Sequence, residues 1–517
     1  RRGVAPARSG AVTAEQAPSR HRRTVDVALE ARARRWSIEE RAGQATLIES
    51  VAVAASEPLP PDTEDAPIRV GSGGLLRVAV LASEAPDLER VLRRAVLASG
   101  AELVLLLRVN DARSFIERAA ALRDARPDLV LALVAERREA DGIIDLVEAM
   151  RLGCADRSPA PRVVVAGEPH AALRVKAAAV GYAVELLPDP RRPDGTSAFS
   201  HRAREFRRGT DASLILRDEA LEELARLVAA RGRDTLVVDV AGGSTSLVRA
   251  SADGAVVAAH VAALGAGTAA DRTVGRAGLD GVRRWIPWSI DAPTMLERVF
   301  NRARWPDAVA ADASALALEI ALAHEALSHA LADAAAAGSV ETLRDAPVTI
   351  VTGAAAAFTR AAHTALVVID GLASPKPTTL HRDADDALVA LGALAARIRM
   401  TGGDPTATVT EELARRLVPI ALVVPATLGR RSKLRVNGAE QLDDELAPGA
   451  FFSVRHRGEA DVEITGTPVK VHGTAGELGI IIDLRGRPLV LPPRDAERIP
   501  TLVRWFAALD LAATGAA

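Results

Sequence analysis

From residue 76 to residue 180 the chain alternates nearly continuous apolar runs with amphipathic segments, and no other feature restricts the fold as much. Strands are expected over 76–81, 102–108, 128–135 and 162–166, and helices over 86–97, 112–122, 140–151 and 171–180. A strand that is apolar at consecutive positions has to be covered on both faces. The pattern therefore predicts a parallel sheet between two helical layers.

On either side the texture differs. Residues 1–24 are rich in Arg, Ala and Ser, 24–48 suits a charged helix, and 57–67 reads as a proline-rich linker. Residues 181–232 are turn-rich and end in a helix over 218–230. A buried strand then runs into a glycine turn at 241–243, and a second strand is expected over 254–264. Further on come a long alanine-rich helix over 312–337, strands over 348–351 and 365–370, and a helix over 383–398. Short strands over 417–424, 432–436, 451–457, 462–465, 469–471 and 480–484 predict a small β domain, closed by a helix over 495–511. The expected division is 1–68, 69–232, 233–405 and 406–517.

Composition narrows the function classes. Apolar residues are 49% of the chain and charged residues 26%, enough for real cores across 517 residues. A net charge of −2 gives no global field for nucleic acid or an anionic membrane. Lysine occurs only at Lys176, Lys376, Lys433 and Lys470, and no G-x-x-x-x-G-K-[ST] phosphate loop is present. Cys154 is the single cysteine, which excludes internal disulfides and cysteine zinc clusters and favours a reducing compartment. No uninterrupted apolar run reaches the roughly 18 residues a bilayer requires. The arginines at the start have no apolar stretch behind them, and the first residue is not Met, which reads as a processed or incomplete start. The expectation is a cytoplasmic protein.

The chemistry concentrates in Asp239-Val240-Ala241-Gly242-Gly243-Ser244-Thr245-Ser246. Gly242 and Gly243 permit close backbone approach, so that successive N–H groups converge on an anion, and Ser244, Thr245 and Ser246 add hydroxyl donors. Asp239 stands where a carboxylate could hold hydrated Mg²⁺. The same stretch also fits an ordinary glycine hairpin. Other motifs fail. Gly265-Ala266-Gly267-Thr268-Ala269-Ala270 matches a dinucleotide fingerprint, but the strand before it alternates as in an antiparallel ribbon. His324 and His329 are five residues apart, about 140° around a helix, and cannot chelate as an i,i+4 pair does. Arg284-Trp285-Ile286-Pro287-Trp288 reads as a packing knot.

Asp239 with its glycine–hydroxyl turn, followed by Gly265 and Gly267 and by Val348-Thr349-Ile350-Val351-Thr352-Gly353, resembles the second phosphate hairpin and adenosine turn of the actin, heat-shock chaperone and sugar-kinase superfamily. More narrowly, the chain resembles the glutamate mutase accessory family. The segments that carry this likeness begin with Ser72-Gly73-Gly74-Leu75, Arg126-Pro127-Asp128 and Arg162-Val163-Val164. The hairpin, Arg284-Trp285-Ile286-Pro287, Pro375-Lys376-Pro377, Gly476-Glu477-Leu478-Gly479 and Arg485-Gly486-Arg487-Pro488 continue it. Members of that family begin with a first phosphate loop, D-x-G-S-T-x-T-K, and nothing like it occurs in residues 1–70. A glycine-rich G-G-T-D-G-G stretch is replaced by Val134-Ala135-Glu136-Arg137-Arg138, and Ala241 stands where a glycine is common.

The resemblance implies actin-like ATPase (ribonuclease H-like) lobes with an α/β insertion, and ATP or ADP with Mg²⁺ as cofactor. Asp239 would hold the metal. Gly242, Gly243, Ser244, Thr245, Ser246, Gly265 and Gly267 would surround the phosphates, with Gly353 at the adenine. It implies an ATP-dependent chaperone or reactivating factor of an adenosylcobalamin-dependent mutase, at most a weak ATPase. The alternative is a non-hydrolysing paralogue: a scaffold, a partner subunit of an intact homologue, or a filament-forming homo-oligomer. A protein partner is expected, and neither nucleic acid nor membrane.

Overall fold

The computed structural model describes residues 20–29, 32–59, 67–84, 87–428, 432–441 and 446–511. Most of the expected 57–67 linker lies outside them. The charged stretch expected as a helix over 24–48 is instead three antiparallel strands, Arg20–Leu29, Arg32–Arg41 and Gln44–Ala54. Val25 and Val27, Trp36 and Ile38, and Ala45 and Leu47 are buried at a spacing of two, the strand period, with arginines and glutamates facing the other way. Ala42 and Gly43, with φ of 53° and 78°, make the turn between the last two strands. Two positive φ values match the twist of a tight hairpin, and Ala-Gly advertises such a turn less clearly than Asn-Gly. Residues 20–54 are therefore part of a folded lobe and not a leading segment. Strand Ile68–Gly71 runs parallel to the first strand, and Leu214–Leu216 runs parallel to that.

Between those two parallel strands sits the alternating region. Its five parallel strands are ordered Glu102–Arg108, Arg77–Ala82, Leu129–Val134, Arg162–Gly167, Val184–Leu187. Helices Leu88–Ala98, Phe115–Ala125, Ala140–Gly153 and Pro169–Ala178 intervene, and a separate apolar cluster lies on each face of the sheet.

The topology of the first lobe then recurs. Strands Thr235–Val240, Ser244–Ala250 and Val256–Ala262 form an antiparallel meander. Val348–Gly353 joins parallel to the first of them, and Thr378–Arg382 parallel to that. An antiparallel meander followed by two parallel strands, present twice, is the lobe architecture of the actin-like, ribonuclease H-like fold. Pro419–Pro425, Ile480–Asp483 and Phe451–Val454 extend the second sheet to eight strands. The strands expected near 417–424, 451–457 and 480–484 thus belong to this lobe. The separate small sheet holds Ala439–Glu440, Leu434–Val436, Gly458–Ile464 and Lys470–Ala475. The strand expected over 365–370 lies within helix Ala361–Leu372, which is buried all round. Periodicity cannot separate a fully buried helix from a buried strand over so short a run.

Helices Arg217–Ala229 and Ala387–Met400 join the lobes. One apolar cluster runs from Val25 and Ile38 through Leu221, Leu224, Leu388 and Leu391 to Val237 and Ile350. A Cβ on Gly392 would lie 2.3 Å from the Ala220 carbonyl oxygen, so the close helix contact needs glycine there. The 24-residue helix Ala313–Ala336 is long and apolar enough to cross a bilayer, but 67% of its most apolar window is buried in the protein.

Candidate functional site: a cleft with paired carboxylates

The turn between Val240 and Ser244 opens onto a cavity of about 520 Å³ bounded by both lobes and by the root of the insertion. Asp239, Gly242, Gly243, Ser244 and Ser246 line it, as the sequence suggested, together with Ala28, Arg207, Arg217, Asp218 and Thr268. Neither the Gly242 nor the Gly243 N–H donates to a backbone carbonyl among the described residues. The other predicted residues do not line the cavity. Thr245 Oγ1 donates to the Leu264 carbonyl at 2.8 Å, on the buried side. The loop holding Gly265 and Gly267 supports the hairpin from behind. Ala266 N–H donates to the Ala241 carbonyl at 3.1 Å, and Gly267 and Ala269 donate to Gly242 at 2.9 and 3.0 Å. These N–H groups are consumed by protein carbonyls and are not left for phosphate. Gly353, at φ +75°, packs so tightly that a Cβ would sit 2.7 Å from Asp239 Oδ1.

Sequence reasoning missed what faces Asp239. Arg217, first residue of helix Arg217–Ala229, donates through Nη2 to Asp239 Oδ1 at 2.8 Å and through Nε to Oδ2 at 3.0 Å. Thr352 Oγ1 donates to Oδ1 at 2.7 Å, and Arg217 Nη2 also reaches Asp386 at 3.2 Å. Arg217 and Asp239 are 4% and 1% exposed. Burial would lower the Arg217 pKa, but the Asp239 and Asp386 carboxylates outweigh it and keep the guanidinium charged. Both Asp239 oxygens already accept from Arg217, and Oδ1 also from Thr352, so a Mg²⁺ would have to displace a charge-assisted bidentate partner from this buried carboxylate. The residues present do not fit the metal that the fold's resemblance implies. Among the described residues no group of three or more His, Cys, Asp or Glu side chains is placed to hold a metal ion.

The first lobe repeats this arrangement. Asp26 lies beside the parallel strand as Asp239 does, opposite Arg69 where Asp239 is opposite Thr352. Its cross-strand partner is Arg35, which grips it bidentately at 2.8 and 2.8 Å. The last described pair of this hairpin is Leu29 with Arg32, and residues 22–41 contain no glycine.

Behind the cavity the polar groups form a row. Ser246 Oγ lies 2.9 Å from His260 Nδ1, its cross-strand neighbour, and His260 Nε2 lies 3.3 Å from Glu222, which also binds Arg204. Burial alone would raise Asp218, but Arg207 and Arg204 hold its carboxyl below the usual carboxylate range. Arg217 Nη1 and Asp218 Oδ1, both buried, have no hydrogen-bond partner among the described residues.

Beside this network Asp383 accepts N–H bonds from Leu388 at 3.0 Å and Val389 at 3.1 Å. Burial first, and then the charge of Asp386, push it up to about 8. Because the folded pKa lies above the unfolded value, this stability contribution is complete below about pH 4 and is lost as pH rises through 8. Asp383→Asn is expected to flatten the melting temperature between pH 6 and 9, where the parent declines. A parent curve that rises over that range would refute the assignment.

No protein-family model matches the chain, and no curated protein matches its sequence. Among solved structures it is similar to the Ppx/GppA family member of Aquifex aeolicus, at 11% identity and TM-score 0.20, covering 75% of this chain and 92% of that one. It is also similar to nucleotide-free acetone carboxylase at 13% identity and TM-score 0.29, covering 73% and 70%. An exopolyphosphatase from Cytophaga hutchinsonii gives 9% identity and TM-score 0.22, covering 76% and 86%. At these values no residue correspondence carries over; the actin-like fold follows from the repeated lobe topology of this chain itself.

Proposed function

We propose that the chain is an actin-fold protein whose cleft binds a phosphate-bearing ligand without hydrolysing it, and that it acts through protein contacts as a scaffold or partner subunit. The observation that carries this reading is the guanidinium on each of the two equivalent carboxylates, Arg217 on Asp239 and Arg35 on Asp26. Phosphoryl transfer to water depends on charge stabilisation around the transferring group and an oriented nucleophile. A carboxylate already gripped by an arginine is poorly placed to carry a metal or to take a proton from water. The missing glycines and lysine of the first loop weaken the other side of the clamp in the same sense.

The narrower role, an accessory factor of an adenosylcobalamin-dependent mutase, draws its support from the sequence segments quoted above. Its client would be such a mutase or an intact homologue of this chain. Mg-ATP incubated with the purified protein should be consumed no faster than in buffer. Magnesium-dependent turnover that disappears in Asp239→Asn would overturn the proposal. For the scaffold role, sizing of native material should place the chain in a complex; a monomer that co-purifies with no stable partner counts against it.

A further inference from the structure

We infer that the cleft takes a phosphate ester without a divalent cation, its anionic end on Arg217 and the Gly242–Gly243 turn, its organic body in a second chamber walled by the inserted α/β unit. This rests on the non-hydrolysing reading of the cleft and names the ligand class for it. The anionic end is argued from unmet donors. Arg217 heads a 13-residue helix, so that a positive helix end and a guanidinium coincide. Its Nη1 is buried without a partner, whereas buried polar groups are ordinarily satisfied. The Gly242 and Gly243 N–H groups, with no backbone acceptor among the described residues, line the same cavity. A phosphate oxygen supplies the acceptor these donors lack. The charge a metal would bring is already present on Arg217, held there by Asp239.

The body is placed by what is closed and what is open. Gly353, expected at an adenine, is packed against Asp239 and Val240 and does not line the cleft. On another side the cleft shares Ala262, Ala263 and Arg272 with an adjoining cavity of about 540 Å³. That is ample room for a nucleoside-sized group. Leu97 and Leu103 of the insertion give this chamber an apolar wall. Glu102 Oε2 is buried there without a hydrogen-bond partner, an acceptor that calls for a donor. Arg272, which has no ion-pair partner among the described residues, stands where the two spaces meet. The ligand class is therefore a phosphate ester whose body carries an amino or hydroxyl donor for Glu102 and an apolar face for Leu97 and Leu103.

Titration calorimetry of the full chain with ADP and with inorganic pyrophosphate, in excess EDTA and in millimolar magnesium, tests this. Both probes should bind in EDTA, ADP the tighter. Glu102→Gln should weaken ADP about tenfold, the loss typical of one charged hydrogen bond, and Leu103→Trp should weaken it by filling the chamber; each, checked for an unchanged melting temperature, should leave pyrophosphate unchanged. Binding that requires magnesium, equal loss of both probes in the chamber variants, ADP unaffected by them, or no heat from either probe at millimolar concentration would each overturn the inference. Chamber variants that fail to separate the two probes overturn this inference alone, whereas no heat from either probe also removes phosphate binding from the proposed function; ATP turnover remains a separate test of that function.

Discussion

Arg217→Met is expected to lower the melting temperature by on the order of 10 °C. Removing one partner of a buried ion pair leaves the other charge uncompensated, at about 3–5 kcal/mol. One kcal/mol shifts a unit of this size by roughly 2–4 °C. Here Asp239 and Asp386 would both lose the guanidinium that faces them, in a region where Asp239 is 1% exposed. The double variant Arg217→Met, Asp239→Asn replaces a stranded carboxylate with a neutral amide that still accepts from Thr352, and should recover more than half of the loss. Scanning calorimetry of the four proteins closes the cycle. A shift of only a degree or two in the single variant would mean that water reaches the pair, and the case against a metal at Asp239 would then weaken with it.

The second large effect is expected at Arg485. Its side chain is 1% exposed and lies between the Phe451 ring, 3.9 Å from the centroid, and the Trp505 ring, at 4.4 Å. It binds Asp370 at 2.5 Å and Asp483 at 2.9 Å, so it ties helix Ala361–Leu372 and the terminal helix Asp495–Ala507 to the far strands of the second sheet. Burial alone would raise Asp483, but Arg485 and Arg487 pull it down to about 2. In the parent this contribution is present at neutral pH and fades only as pH falls toward 2. Arg485→Met strands Asp370, leaves Asp483 with Arg487 as its only guanidinium, and removes two cation–π contacts, a loss of about 5 kcal/mol. The stranded Asp370 then favours its protonated form, so the variant should melt higher at pH 5 than at pH 8. Equal melting at both values would contradict this.

Together these two arginines show how the chain uses a strongly biased basic composition. Within lobes whose cores are otherwise apolar, it places guanidiniums among carboxylates. A missing partner there is costly, while a satisfied one fixes which elements meet. The cleft follows the same rule, and Arg217, like Arg485, keeps Nη1 without a hydrogen-bond partner among the described residues.

What the sequence by itself determined is what short-range physics controls. Continuous apolar strands between amphipathic helices placed four of the five strands of the inserted parallel sheet nearly to the residue, because covering both faces of a strand leaves a local record; the edge strand Val184–Leu187, only partly buried, fell in the stretch read as turn-rich. Gly242 and Gly243, flanked by Asp239 and three hydroxyls, located the cleft for the same reason: a tight turn needs its own residues. The tertiary structure alone decided the charge state of the cleft's chemistry. Nothing in Leu216-Arg217-Asp218-Glu219 announces that Arg217 will lie across Asp239, 22 residues later, since that pairing exists only once a helix start meets a strand end. The first lobe was hidden because charges alternating with Val25, Val27, Trp36 and Ile38 resemble a solvated helix until the pairing of Asp26 with Arg35 sets the strand register. A carboxylate at the right place in the chain predicts a metal; the guanidinium that folding brings against it settles which cation it keeps.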